Sequence, residues 1–266
     1  MFKFFIFFSL INLYIFGGCC NKNNYKNNNI CNNENSDNKN KNKNKKDKKE
    51  VKNVILLTTG ALNPVHKGHI NSLKLAQDCL ESKGFVVEKL YLSPSSDIYL
   101  NSKKNSGKID HYYNFKNRLK MCQLAVEDFK KENNNEKYKI EVSDWEGKQP
   151  CFVDFSGVVN HFEKDINNKD KLVFYICGSD HYKNVKNTNL ENVVVIKRDK
   201  EIVKLENNKN HFIVEDNDNS DFSSTKAREI ITKIKNNENV VDNTKLLEKY
   251  LYSSVIGFIL KINKES

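Results

Sequence analysis

Six apolar runs of strand length punctuate the chain, at Val54–Thr59, Val86–Leu92, Tyr138–Val142, Leu172–Cys177, Val193–Lys197 and His211–Val214. Most are continuous rather than alternating, the pattern of strands covered on both faces in a parallel sheet. Helical periodicity fills the gaps between them. Ile70, Leu73, Ala76 and Leu80 mark one apolar face, and Phe115, Leu119, Cys122, Val126 and Phe129 recur at four-three-four-three spacing. Phe152, Phe155, Val159 and Phe162 form a third stripe, and Ile230, Ile231 and Ile234 a fourth. Strands alternating with helices predict an α/β fold with a doubly wound, mainly parallel sheet, which binds ligands at the carboxyl ends of its strands. The asparagine-rich islands Asn133–Asn135 and Asn207–Asn210 read as surface loops between elements. No internal repeat is visible.

Charge divides the chain differently. Its 266 residues hold 44 Lys+Arg and 34 Asp+Glu, a net charge of +10. Residues 1–52 carry 11 Lys against four acidic residues, a surplus of +7, which leaves residues 53–266 at 33 against 30. The remainder is nearly balanced, so nothing in it calls for a nucleic-acid surface. Within the leader, Lys3 precedes an apolar run from Phe4 to Phe16, then Gly17, Gly18, Cys19 and Cys20. Residues 1–20 resemble a secretory signal peptide and are marginal in length for a membrane span, so none is expected in a mature chain. Residues 21–52, rich in Asn and Lys, read as a disordered tract. Together the two segments could be a two-part organellar address; an uncleaved anchor and a biased tail are the bland alternatives. Without an address the location would be cytoplasm or nucleus. Residues 53–266, about 214 in number, suffice for one α/β domain. Of seven cysteines three lie in the leader, Cys79 and Cys122 fall on apolar helix faces, Cys177 in a strand and Cys151 in a loop. No C-x-x-C pair exists, so the scatter reads as small buried hydrophobes rather than a zinc site.

Two short words carry candidate chemistry. Gly60-Ala61-Leu62-Asn63-Pro64-Val65-His66-Lys67-Gly68-His69 follows directly on the first apolar run. A buried strand breaking at Gly, then His-x-x-His at a helix start, converges backbone and imidazole N–H donors with the positive end of a helix dipole, an arrangement that holds phosphate. A side chain at Gly60 would keep the backbone from approaching phosphate. Ser223-Ser224-Thr225-Lys226-Ala227-Arg228 opens an amphipathic stretch and offers three hydroxyls and a guanidinium at another helix start. Two phosphate sites in one domain point to a nucleoside triphosphate. The competing structural readings are a helix-capping or core histidine and an ordinary Ser N-cap with a solvent-facing arginine.

The first word resembles the (H/T)xGH region of the nucleotidyltransferase superfamily, and Ser223 to Arg228 its SSTxxR element. Between them Ser93-Pro94-Ser95-Ser96-Asp97-Ile98-Tyr99, Asn117-Arg118-Leu119-Lys120-Met121-Cys122, Asp144-Trp145-Glu146 and Cys177-Gly178-Ser179-Asp180 occur in order. Together these are similar to the eukaryotic-type nicotinamide/nicotinate mononucleotide adenylyltransferases, over roughly residues 53–260. Class I aminoacyl-tRNA synthetases share a similar first word but pair it with a lysine-rich loop that is missing here. The family usually has Ser and Phe where this chain has Ala61 and Leu62, so a hydroxyl contact to the mononucleotide phosphate would be lost.

The resemblance implies a Rossmann-like nucleotidyltransferase fold and transfer of adenylate from ATP to nicotinamide or nicotinate mononucleotide, giving NAD or deamido-NAD and pyrophosphate. The nucleophile is already an anion, so positioning and charge neutralisation suffice without a general base. It assigns His69, His66 and Arg228 to catalysis, and Gly60, His66, His69, Gly178, Asp180, Ser223, Ser224, Thr225 and Arg228 to ATP. Ala61, Leu62, Tyr99, Lys103, Trp145 and Arg198 fall to the mononucleotide, with Trp145, the only tryptophan, stacking on the pyridine ring. Mg²⁺ is expected on ATP phosphates rather than on protein ligands. Homo-oligomers are common in the family. The alternatives are a related nucleotidyltransferase acting on phosphopantetheine or a CTP-dependent substrate, and a non-catalytic NAD-binding or chaperone-like protein.

Overall fold

The computed structural model describes residues 52–133, 136–165, 171–198, 202–207, 209–216 and 221–265. The leader expectations for residues 1–20 and 21–52 therefore lie outside the described residues, Lys52 excepted. All six expected strands form: β1 (Asn53–Gly60), β2 (Val86–Pro94), β3 (Ile140–Val142), β4 (Lys171–Gly178), β5 (Asn192–Lys197) and β6 (Asn210–Glu215). They pair in parallel in the order β3-β2-β1-β4-β5-β6. The chain winds outward from β1 through β2 to β3, then returns to lay β4 against the free side of β1. That reversal opens a crevice at the carboxyl ends of β1 and β4.

Side-chain alternation explains the unbroken apolar runs, because successive residues point to opposite sheet faces. Leu56, Phe174, Ile176 and Val194 belong to one core with α1 (Lys67–Ser82), α3 (Phe115–Asn133), α6 (Ser224–Lys235), α7 (Val240–Tyr250) and α8 (Ser253–Lys264). Leu57, Val173, Tyr175 and Val193 belong to the other, under α4 (Phe155–Asp165) and α5 (Ser179–Val185). Both faces need apolar residues, hence no polar interruption. Among the described residues, no helix is long and apolar enough to cross a membrane.

The helices expected from periodicity form as α1, α3, α4 and α6. Phe152 departs from its expected stripe: α4 begins only at Phe155, where Asp154 Oδ1 accepts from Gly157 N at 2.7 Å, and Phe152 stands before it, half exposed. Asn133 closes α3 and Asn210 opens β6, so the two asparagine islands reach into elements at their edges. Cys122 and Cys177 are buried and Cys151 is exposed.

Candidate active site

The ends of β1 and β4 open into a cleft of about 370 Å³, lined by Gly60, Ala61, His69, Gly178 and Arg198 and continued by residues after β2 and before α4. Between Gly60 and α1 the chain makes a tight loop. Leu62 adopts φ +45° there, a left-handed conformation costing a leucine about 1 kcal/mol, and is held by its buried side chain. The Asn63–Pro64 peptide is cis. The carbonyls of this loop are bound from outside. Gly60 O accepts from Ser95 N at 2.8 Å, Ala61 O from Arg118 Nη1 at 2.8 Å, Asn63 O from Arg228 Nη1 at 2.8 Å and Pro64 O from Ser224 Oγ at 2.9 Å. Four acceptor oxygens are thus occupied by donors, which lessens their repulsion of an anionic guest.

His66 caps α1 and is buried; His69 lies one turn on and faces the cleft. The His66 backbone N–H donates to His69 Nδ1 at 3.0 Å, and the two rings stack with centroids 3.6 Å apart. Burial, reinforced by the positive charge of Arg198, lowers His69 to about pKa 3. The ring is therefore neutral at pH 7. With Nδ1 accepting, its proton sits on Nε2, a hydrogen-bond donor for the cleft. His66 is held well below the ordinary histidine value by burial, then by His69 and Arg198, and its buried Nδ1 has no protein partner among the described residues. It stands behind His69 rather than lining the cleft. Gly68 lies between them because a Cβ there would come within 2.9 Å of Phe222 Cβ and 3.1 Å of the His66 ring.

The second word is fastened to the first. Ser223 Oγ accepts from Thr225 N and Lys226 N and so caps α6. Ser224 and Arg228 hold the loop carbonyls named above, and Arg228 Nη2 donates to Thr225 Oγ1 at 3.1 Å. Half-buried Arg228 has its pKa lowered by burial. These residues adjoin the loop that presents His69 but do not line the cleft itself.

The other end of the cleft is aromatic. Tyr99, on α2 (Asp97–Asn105), stacks with Phe152 at 5.5 Å, and Lys103 Nζ lies 4.6 Å from the Tyr99 ring centroid. Phe155 stacks with Tyr175 at 5.4 Å and meets His181 edge-on. Below them lies Glu146, on the short 3₁₀ turn Glu146–Lys148, 4% exposed, its Oε2 accepting from Ser93 Oγ at 2.9 Å. Burial raises its carboxyl to about 7, opposed by hydrogen bonds from Ser95 and Ser93 and by Arg118. Gly147 beside it touches Phe115 so closely that any Cβ would overlap that ring.

Fully buried Arg118 ties these parts together. Nε donates to Tyr113 O, Nη1 to Ala61 O and Nη2 to Asp97 Oδ1, at 2.9, 2.8 and 2.9 Å. Asp97 Oδ2 in turn accepts from Phe115 N, so one ion pair fixes the loop, α2 and the start of α3.

Of the expected site residues, the cleft gathers Gly60, Ala61, His69, Tyr99, Lys103, Gly178 and Arg198. Leu62 turns its side chain into the core. Asp180 is exposed on the first turn of α5, and a Cβ on Gly178 would stand 2.6 Å from its Oδ1. Trp145 does not line the cleft; its indole stacks flat on His161 of α4, centroids 3.7 Å and planes 4° apart. Ser95, Glu146, Phe152, Tyr175 and His181 line the cleft without having been assigned there from sequence. Of these, Ser95 and Glu146 lay inside words already noted, a signal that was present but unread. Among the described residues, no three His, Cys, Asp or Glu side chains cluster as ligands of a metal ion.

The cytidylyltransferase-like family model matches residues 57–230. A nicotinamide/nicotinic acid mononucleotide adenylyltransferase of Arabidopsis thaliana is 30% identical over 135 residues, 48% of this chain and 49% of that protein. Nicotinamide/nicotinic acid mononucleotide adenylyltransferase 2 of Xenopus tropicalis is 36% identical over 109 residues, 41% of this chain and 30% of that one. The matched stretch spans about half the length of these curated relatives or less. The solved Plasmodium falciparum nicotinic acid mononucleotide adenylyltransferase, complexed with NaAD, shares the fold with TM-score 0.56 at 17% identity, over 79% of this chain and 96% of that one.

Proposed function

This chain belongs to the cytidylyltransferase-like family, and we propose that it is an adenylyltransferase joining ATP to nicotinamide or nicotinate mononucleotide. An oxygen of the mononucleotide 5′-phosphate bonds to the α-phosphorus of ATP. The bond from that phosphorus to the α–β bridging oxygen breaks, and pyrophosphate leaves with the electron pair. NAD or deamido-NAD is the other product. No proton need be removed from the nucleophile, so the protein's work is to align two anions and neutralise charge.

The observation that carries this reading is the fixed Nε2–H of neutral His69 at the floor of the β1–β4 crevice. A neutral donor aimed at developing charge needs no rearrangement as the reaction proceeds. In this reading His66 orients His69. The loop from Gly60 to Leu62 offers backbone to phosphate, and Thr225 and Arg228 extend the triphosphate site from the rim, with Ser223 and Ser224 setting α6 in place. Gly178 and Asp180 take the adenosine end. Arg198, beside His69, neutralises phosphate between the substrates, and Tyr99, Lys103 and Phe152 receive the mononucleotide. Trp145, stacked on His161, packs against the core under α4. Magnesium enters as MgATP, coordinated by phosphate oxygens and water. The names of the Arabidopsis and Xenopus relatives, and the dinucleotide bound to the Plasmodium protein, support the same substrate class.

The purified chain, MgATP and each mononucleotide should yield dinucleotide and pyrophosphate in equal amounts. Turnover of phosphopantetheine or a CTP-dependent substrate instead, or nucleotide binding without pyrophosphate release, would overturn the proposal.

A further inference from the structure

Two acidic side chains line the cleft among the described residues, Glu146 and Asp154. Asp154 is exposed and engaged by the start of α4, its Oδ1 accepting from Gly157 N and Ser156 Oγ. Glu146 is different. It is almost wholly enclosed, held by the Ser93 hydroxyl, and lies close enough to Tyr175 to influence its phenol, as Tyr99 also does. It therefore sits beside Tyr175, with the aromatic groups that would receive a pyridine ring. A buried carboxyl facing a binding cleft is costly unless something is to be gained from it.

Resting on the adenylyltransferase reading, we propose that Glu146 is a specificity-determining residue that reads the substituent of the pyridine ring. Ionised, it accepts a hydrogen bond from the carboxamide N–H of nicotinamide mononucleotide and repels the carboxylate of nicotinate mononucleotide. Protonated, it donates to that carboxylate, and the discrimination relaxes. Arg118 from α3, Tyr175 from β4 and the hydroxyls of Ser93 on β2 and Ser95 after it act on or beside Glu146 directly. The other charged or titratable groups of the cleft are Tyr99 and Lys103 from α2, Asp154 before α4, Cys177 from β4, His181 from α5, His69 from α1 and Arg198 after β5. Arg118 is spent on Tyr113, Ala61 and Asp97, so it tempers the carboxylate without quenching it.

The test is the ratio of kcat/KM for the amide over the acid mononucleotide, measured with the full chain from pH 5.5 to 8.5. In the wild type this ratio should climb at least tenfold across the range. Glu146→Gln, which keeps the shape and both hydrogen-bonding capacities but never ionises, should flatten the climb and favour the acid at least tenfold more than the wild type does at pH 8. A wild-type ratio that stays level overturns the role of Glu146 whether or not the variant folds. So does a Glu146→Gln variant that slows both substrates equally and keeps the wild-type pH trend, which is the behaviour of a merely structural carboxylate. Absence of turnover with either mononucleotide in the wild type overturns the adenylyltransferase reading itself.

Discussion

The backbone N–H of His66 donates to Nδ1 of His69 at 3.0 Å, and this bond decides which imidazole nitrogen carries the proton. It leaves Nε2–H for the cleft. Removing one preorganised donor to developing charge costs about 10²–10³ in kcat, so His69→Ala should lose that much with a smaller change in KM. His69→Gln places an amide N–H near the lost Nε2 and should recover part of it, whereas His69→Asn should not. Because the ring titrates near 3, no ionisation of His69 should appear in kcat between pH 5 and 9. An inflection near 6.5 that vanishes in His69→Gln would contradict the neutral-donor assignment.

Phe152 and Trp145 should exchange the effects that the sequence suggested for them. Phe152 stands half exposed at the cleft and is stacked on Tyr99, so Phe152→Ala should raise KM for the mononucleotide about tenfold while barely moving the unfolding midpoint. Trp145 packs on His161 and against the core under α4. Trp145→Ala should leave KM within about twofold of wild type and cost about 1–2 kcal/mol of stability. Steady-state kinetics and urea unfolding separate the two; the reverse pattern would return the ring site to Trp145.

The parts of this fold that were legible in the sequence share a physical cause. A strand packed on both faces must be apolar at every position, so Leu56 and Leu57, which point to opposite cores, advertise β1 regardless of partners. The His66–His69 word was legible as a strand ending in Gly before a helix start, and that is where it falls, between β1 and α1, with His69 on the cleft and His66 buried at the N-cap. What escaped depends on partners distant in sequence. Helix α5 has seven residues, too few to display a period. Phe152 matched the spacing of Phe155 and Val159, and only the Asp154 cap shows that the helix starts later. Trp145 was expected at the pyridine ring by resemblance, and no local pattern showed that its indole stacks on His161, sixteen residues on. Arg118 and Glu146 stood inside two of the matching words without a role, since nothing local announces that both are buried.

Arg118 should prove less replaceable than its charge alone suggests. Its guanidinium reaches three acceptors at once, on the Tyr113 and Ala61 backbones and on Asp97. Arg118→Lys keeps a positive charge but offers a single point of attachment, and should lose about 1–2 kcal/mol of stability and raise KM for both substrates as the loop loosens. Arg118→Leu strands Asp97 and the Ala61 carbonyl and should cost about 3–5 kcal/mol. Urea unfolding gives both values; a lysine variant indistinguishable from wild type would show that charge, not the fork, is what the position requires.

Glu146 also sets a pH signature on stability, independent of any substrate. Its carboxyl is raised to about 7 in the folded chain, from an ordinary value of 4.5. Below 4.5 the carboxyl is protonated in both folded and unfolded chains, and the favourable contribution of the buried neutral group is fully present. As pH rises from 4.5 to 7 the unfolded chain ionises and the folded one resists, so stability drains away by about 1.4 kcal/mol per pH unit, about 3 kcal/mol in all. Glu146→Gln cannot ionise and escapes this loss. Titrations of other groups, including the buried His66 and His69, act in the opposite direction below 6.5 but are common to both proteins and cancel in the difference. Urea unfolding of the two proteins should therefore agree most closely near pH 4.5 and diverge up to pH 8, where the variant should be the more stable by about 3 kcal/mol. A difference that stays constant across that range would mean that Glu146 already carries its charge in the folded protein at acidic pH. In that event the hydroxyls of Ser93 and Ser95, together with Arg118, would outweigh the cost of burying it.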